Sequence, residues 1–290
     1  MTPPSLSALF PPHAVPRKLR RTWWSLCRRV SPRATVDLPF TGGMKVAIPR
    51  YDRLARRIYL DGCSDYEQAA VLAACLKPGG VYFDVGAHVG QFALLGAHLV
   101  GTSGQSHAFE ATPATFEFLK RNAQINTLPQ LTINHLAVFS EAGEVTIQVC
   151  DPADAAFNSI STPLRPDGSV VDTVQIPAVA LADYCAEHQI EKVDLIKIDV
   201  NGPELQVIRG AGGLLEGPDA PVLYVEFNDN TTAPLDYTTA QMRDEIEGLG
   251  YELFTFDTET ARIVPEPRRE RYEETVNLVA TKRPEEINGG

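Results

Sequence analysis

Residues 81–90 read VYFDVGAHVG, and the way this stretch begins and ends decides the fold. Positions 81–85 form an apolar run of strand length, Gly86 supplies a tight turn, and an apolar helical segment at 91–100 follows. A glycine at 86 lets the backbone come close to a ligand, and Gly90 lets the following helix approach the strand. The spacing is not the dinucleotide fingerprint G-x-G-x-x-G, because the glycines stand four apart and position 88 is His. The acid two residues before the first glycine, Asp84, would repel a pyrophosphate. It suits an ammonium, or the water shell around an amino-acid moiety.

Working outward, strands and helices alternate. Strands are predicted at 106–110, 131–138, 193–199 and 222–227, with helices at 65–76, 113–126, 182–188, 204–210 and 239–249. A hairpin-like pair at 144–149 and 172–178 flanks a Pro-, Asp- and Ser-rich loop, 151–170. Alternation of this kind predicts an α/β fold, a mostly parallel sheet with helices on both faces. The last two strands, 251–256 and 275–281, have no helix between them, so the final one is expected to run antiparallel. Ahead of this region, 36–60 reads as short β structure (VDLPF, MKVAI, RRIYL) around a Gly42-Gly43 turn.

In an open α/β sheet, ligands gather at the carboxyl ends of the strands. Four strand ends here carry an acid: Asp84, Glu110, Asp199 and Glu226. Glu110 is placed to accept both hydroxyls of a ribose, or else to sit as a surface acid at the start of the 113 helix. Asp84, the glycine turn and Glu110 together describe a pocket for a nucleoside with an amino-acid end and no phosphates. S-adenosylmethionine fits that description better than NAD or ATP. Lys197 and Asp199 share one face of an otherwise apolar strand, where burying either charge alone would cost several kcal/mol. Pairing between them or contact with a ligand is therefore expected.

Composition sets the outer limits. The 290 residues are 44% apolar and 22% charged, and no apolar stretch approaches the ~18 residues of a membrane span. The net charge of −11 argues against nucleic acid as a partner, but it is unevenly spread. Residues 1–60 carry twelve basic and two acidic side chains, and the remainder is strongly acidic. Five widely spaced cysteines without C-x-x-C or Cys/His clustering argue for free thiols in a cytoplasmic protein, and no metal site is assigned. Residues 1–16 read as a disordered leader, 17–60 as a basic amphipathic helix and short β segment, 61–282 as the main domain, and 283–290 as a flexible tail. Within 17–30, Leu19, Trp23, Leu26 and Val30 fall on one helical face among six basic residues. Such a helix either makes peripheral contact with an anionic membrane or docks on its own domain or a partner.

Four blocks, VYFDVGAHVGQFALLGAHLV, HAFEATPATFEFLKRNAQIN, VDLIKIDVNGPELQVIRGA and YVEFN, together resemble the FkbM-type S-adenosylmethionine-dependent methyltransferases over about residues 80–281. The resemblance implies a class I methyltransferase (Rossmann-like) sheet with a reversed last strand, and methyl transfer to a hydroxyl of a sugar, glycolipid or natural product. It places Asp84, Gly86, Ala87, His88 and Gly90 at the methionine end of the cofactor, Glu110 on its ribose, and Ala137 and Val138 beside its adenine. His88 stands where the family usually has Asn. Asn201 stands where the family pattern, I-D-V-E-G-A-E, has an acid. Asp199 is expected to act as base or to orient one, with Lys197 and Glu226 shaping the charge around the acceptor. The amide at 201 keeps open an alternative, a catalytically degenerate cofactor-binding or membrane-docked interaction protein. A nicotinamide-dependent oxidoreductase is a third, more distant option.

Overall fold

The computed structural model describes residues 16–27, 33–38, 43–152, 155, 158–160 and 170–289. The expected leader, except Pro16, and most of the 151–170 loop lie outside them. Along the chain run α1 (Arg17–Cys27), β1 (Arg33–Asp37), β2 (Lys45–Pro49), α2 (Arg53–Asp61), α3 (Tyr66–Cys75), β3 (Val81–Val85), α4 (Gln91–Val100) and β4 (Gln105–Phe109). Then follow α5 (Pro113–Asn126), β5 (Leu131–Asn134), β6 (Ala137–Val138), β7 (Gly143–Cys150), β8 (Val170–Val179), α6 (Leu181–His188), β9 (Leu195–Ile198) and α7 (Glu204–Ala211). The chain closes with β10 (Val222–Phe227), α8 (Asp229–Thr232), α9 (Thr239–Gly248), β11 (Glu252–Asp257), β12 (Arg262–Pro265), β13 (Val276–Thr281) and α10 (Pro284–Asn288).

The central sheet has the order β12-β11-β13-β10-β9-β3-β4-β5. Strands β5, β4, β3, β9 and β10 run parallel to one another, and β13 runs antiparallel between β10 and β11. Alternation along each strand feeds two cores. Tyr82, Leu195 and Tyr224 face a core shared with α3 and α4, whereas Phe83, Ile196, Ile198 and Val225 face one shared with α6, α7 and α9. Burial on both faces explains why these strands read as continuous apolar runs.

Four expectations are corrected. The RRIYL block is the second half of α2, not a strand. Ala55, Ile58 and Leu60 are buried at helical spacing, Asp52 caps the start, and Gly62 ends the helix at φ 85°. The strand expected over 131–138 is broken in two. β5 stays in the central sheet, while β6 joins a separate three-stranded sheet of order β6-β8-β7. Strand β12 pairs with β11 between the last two expected strands. The expected flexible tail contains α10, held by buried Ile287 and by Asn288, whose side chain accepts from and donates to the Ile263 backbone.

The amino-terminal segment packs as part of the body. Asn122 of α5 accepts from the Ala47 N–H at 2.6 Å and donates to the carbonyls of Ala47 and Val89. One buried amide thereby ties β2 to the turn that follows β3.

Candidate active site

A cavity of about 380 Å³ opens at the carboxyl ends of the central strands, within the ~300–1,000 Å³ typical of small-molecule sites. Its wall combines the ends of β3, β4, β9 and β10 with α2, β6 and β7 and with residues 158–160. Of the sequence-predicted positions, Gly86, His88, Glu110, Ala137, Val138, Asp199 and Glu226 line it. Asp84, Ala87, Gly90 and Lys197 do not line this cavity.

Asp84 and Lys197 lie opposite each other in the β3–β9 register and are both buried. The Lys197 ammonium is 3.3 Å from Asp84 Oδ1 and 3.6 Å from Asp199 Oδ2. It also donates to the carbonyls of Gly86 at 2.7 Å and Val85 at 3.3 Å. Burial pulls its pKa down, but the facing carboxylates Asp84 and Asp199 outweigh this and raise it, so the amine stays charged. Lys197 thus holds the β3 turn against the end of β9. Gly86, at φ 79°, permits that approach: a methyl group there would collide with the Asp199 carbonyl. The close neighbour of Gly86 is therefore protein backbone. Gly90 likewise makes room for Leu119 of α5 rather than for the strand.

Glu110 ends β4 with both carboxylate oxygens engaged. Oε2 accepts from the His88 N–H and Oε1 from the Thr112 N–H, each at 2.8 Å. His88, itself at φ 52°, places Nε2 2.9 Å from Oδ2 of the buried Asp52. Burial lowers the imidazole pKa, yet hydrogen bonding to Asp52 and the charges of Asp52 and Glu110 carry the balance upward. The other oxygen of Asp52 caps α2 by accepting from the Leu54 and Ala55 N–H groups.

The carboxyls of Asp199 and Glu226 face the same space under different conditions. Asp199 is half-exposed, whereas Glu226 is buried. Burial pushes the Glu226 carboxyl well above the ordinary range, and the neighbouring charges of Asp199 and Glu204 push it further. Its surroundings therefore disfavour the charged form of Glu226.

Sequence reasoning missed several residues here. Glu204 is buried beneath the 199–203 turn and accepts from the N–H groups of Val200 and Gly202, close to the Tyr237 hydroxyl. Burial raises its carboxyl to about 7. Leu54, Arg57 and Asp65 bring the amino-terminal segment to the cavity wall, and Asn158 and Ser159 close the far side. Asp65 had a local signal, as the cap of α3. Its place on the wall depends on packing between segments distant in sequence. Asn201 stands at φ 56°, a conformation that Asn tolerates better than most side chains.

A parallel sheet whose antiparallel strand lies between β10 and the edge, with its cavity at the carboxyl rim, is the architecture of a class I, S-adenosylmethionine-dependent methyltransferase. The methyltransferase FkbM domain model matches residues 84–253, more than half of the chain. The chain belongs to the FkbM methyltransferase family. It is 31% identical over 181 residues to the 31-O-demethyl-FK506 methyltransferase FkbM of Streptomyces tacrolimicus, covering 54% of this chain and 67% of that protein. With the hexuronic acid methyltransferase AglP of Haloferax volcanii the identity is 24% over 136 residues, 47% of this chain and 52% of the relative. The crystal structure of a methyltransferase FkbM from Methylobacillus flagellatus aligns with 78% of this chain and 54% of its own, at 13% identity and a TM-score of 0.39. The chain thus spans between about half and two thirds of the length of these proteins.

Proposed function

We propose that this chain transfers a methyl group from S-adenosylmethionine to a hydroxyl oxygen of a small-molecule or glycan acceptor, such as a sugar, glycolipid or natural product. The observation that carries the proposal is the gathering of Glu110, Asp199 and Glu226 around one cavity, each held in a different electrostatic setting. The acceptor class draws support from two relatives whose names specify 31-O-demethyl-FK506 and hexuronic acid. Among the described residues the wall has four acids and a single arginine, a balance unsuited to nucleic acid.

The residues present fit the donor. Glu110 keeps free lone pairs for a ribose diol while its N–H partners hold it in place. Phe109, Ala137, Val138 and Ile147 offer an apolar wall for an adenine. At the methionine end the wall offers the Gly86 and His88 backbone, with Ala87 and Gly90 shaping the turn. Asp84 supports this end through Lys197. Asp65 is the acid open to an ammonium there. When bound, the sulfonium supplies an electrophilic methyl group, so the protein's own tasks are alignment and removal of the acceptor's proton. The half-exposed carboxylate of Asp199 takes that proton. Burial disfavours charge on Glu226 and so limits repulsion beside it, and Lys197 fixes the turn packed against Asp199.

We place the protein in the cytoplasm, in peripheral contact with a membrane. Cys63, Cys75, Cys150 and Cys185 are free thiols, as a reducing compartment favours. Among the described residues no helix is long and apolar enough to cross a membrane.

The test is Asp199→Asn. Turnover on a responsive acceptor should fall by ~10²–10⁴-fold, the usual contribution of a general base, while calorimetry shows donor affinity nearly unchanged. Unchanged turnover would remove Asp199 from catalysis. Asn201 favours a second reading as a degenerate binding protein, which donor binding without turnover across a glycan and lipid panel would support.

A further inference from the structure

Helix α1 presents two faces, and among the described residues its own domain occupies only one. Trp24 is 3% exposed and packs on Tyr59 of α2 at a ring separation of 4.9 Å, with Arg50 over its other side. Buried Arg20 donates to the Leu60 carbonyl, and Arg17 pairs with Asp61 at 2.7 Å. The stripe singled out by its spacing points elsewhere. Leu19, Trp23 and Leu26 are 61%, 59% and 62% exposed. At about 100° per residue they share a sector centred roughly a third of a turn from the docked face. Lys18 and Arg21 are exposed on the next sector and have no ion-pair partner among the described residues. No acid occurs anywhere between positions 17 and 30, where Arg28 and Arg29 add two further charges.

We infer that α1 is an interfacial anchor for an anionic lipid bilayer: Leu19, Trp23 and Leu26 enter the acyl boundary while Trp24 and Arg20 keep the helix clamped to α2. Three large apolar groups together, on a helix whose charged residues are all cations, match a surface that is apolar beneath and negative above. A tryptophan half in and half out of the protein suits the headgroup region. The anchor also bears on the site, because α2 connects the two. Its last turn holds α1, and Leu54 and Arg57, only about 4–9 Å back along its axis from Leu60, stand on the cavity wall. A bilayer beneath α1 therefore lies next to the α2 side of the cavity, and the acceptor is membrane-borne. The anchoring stands independently of methyl transfer, whereas the nature of the acceptor rests on the proposed function.

The full chain should float with vesicles of phosphatidylcholine containing 30 mol% phosphatidylglycerol at 0.1 M salt, and bind phosphatidylcholine alone at least about tenfold more weakly. The triple variant Leu19→Ser, Trp23→Ser, Leu26→Ser should lose more than about 30-fold in vesicle affinity, with donor binding and Tm unchanged. Lys18→Ala with Arg21→Ala should weaken binding by roughly tenfold and flatten its salt dependence. In Trp24→Phe the remaining tryptophan, Trp23, should shift to shorter emission wavelength on anionic vesicles. Absence of binding, or equal binding by the triple variant, overturns the anchor. So does a wild-type dimer in sedimentation that the triple variant abolishes, since a second copy would then be the occupant. Donor binding measured without vesicles separates failure of the anchor from failure of the methyltransferase reading.

Discussion

Glu204 and Asn201 adjoin one turn and show how little of a residue's role is visible in its type. Asn201 replaces an acid of the family pattern at a position where the backbone takes φ 56°. Asn is among the few side chains that settle there readily, so the amide eases the turn that Glu204 braces from below. The folded value of the Glu204 carboxyl, about 7, lies above its ordinary 4.5, so the folded state favours its protonated form. That stabilisation is whole below about 4.5 and is lost as pH rises through about 7, a loss on the order of 3 kcal/mol. Glu204→Gln should therefore show a flatter dependence of Tm on pH between 4.5 and 7.5 than the wild type. Parallel curves would count against the assignment. Gly86→Ala should cost at least ~2 kcal/mol in urea denaturation, through its positive φ and the Asp199 carbonyl in its path. Glu110, Asp199 and Glu226 could be read in the sequence because strand alternation alone sends a strand-end side chain toward the rim. Asp65 and Asn158 could not, since a residue in a cap or loop reaches the cavity only through tertiary packing.

At the level of elements, α2 is the instructive case. RRIYL has the aromatic and β-branched content of a strand, and a five-residue window is too short to separate period 2 from period 3.6. The deciding residues lie outside that window, in the Asp52 cap and the Gly62 stop. Asp52→Ala should destabilise the protein by about 0.5–2 kcal/mol through loss of the cap. Asp52→Asn retains an acceptor for the Leu54 N–H but removes the charge facing His88, whose pKa, now raised, should fall in an NMR titration. Stabilisation by that pair is complete below the ordinary imidazole value of 6.5 and is lost as pH rises through the raised one. In the asparagine variant this loss should shrink. Helix α1 was recognisable from its periodicity, but the side that docks was not. Its most apolar stripe is outermost, and the domain is gripped instead by Trp24 with two arginines.

Across the whole molecule, the parallel pairing of the central strands follows from their alternation with helices, which is why the sheet was the most legible feature, whereas the order of its strands was not read. The break between β5 and β6 was not read, although the polar pair Asn134-His135 interrupts the apolar residues of 131–138 where the chain changes sheet. Burial is uneven in a way that hydrogen exchange should register. Amides of β9 and β10, buried along their length, should exchange most slowly, and those of β12 and the outer part of β8 fastest among the strands. The small sheet shares no ladder hydrogen bond with the central one, and its links to the rim are side-chain contacts such as Asn158 to Thr112 and Ser159 to Asn201. In evolutionary terms that makes the hairpin a cassette. Residues can be added to or removed from its tip without shifting the register of the central strands, so one wall of the cavity is free to diverge while the opposite wall keeps its chemistry.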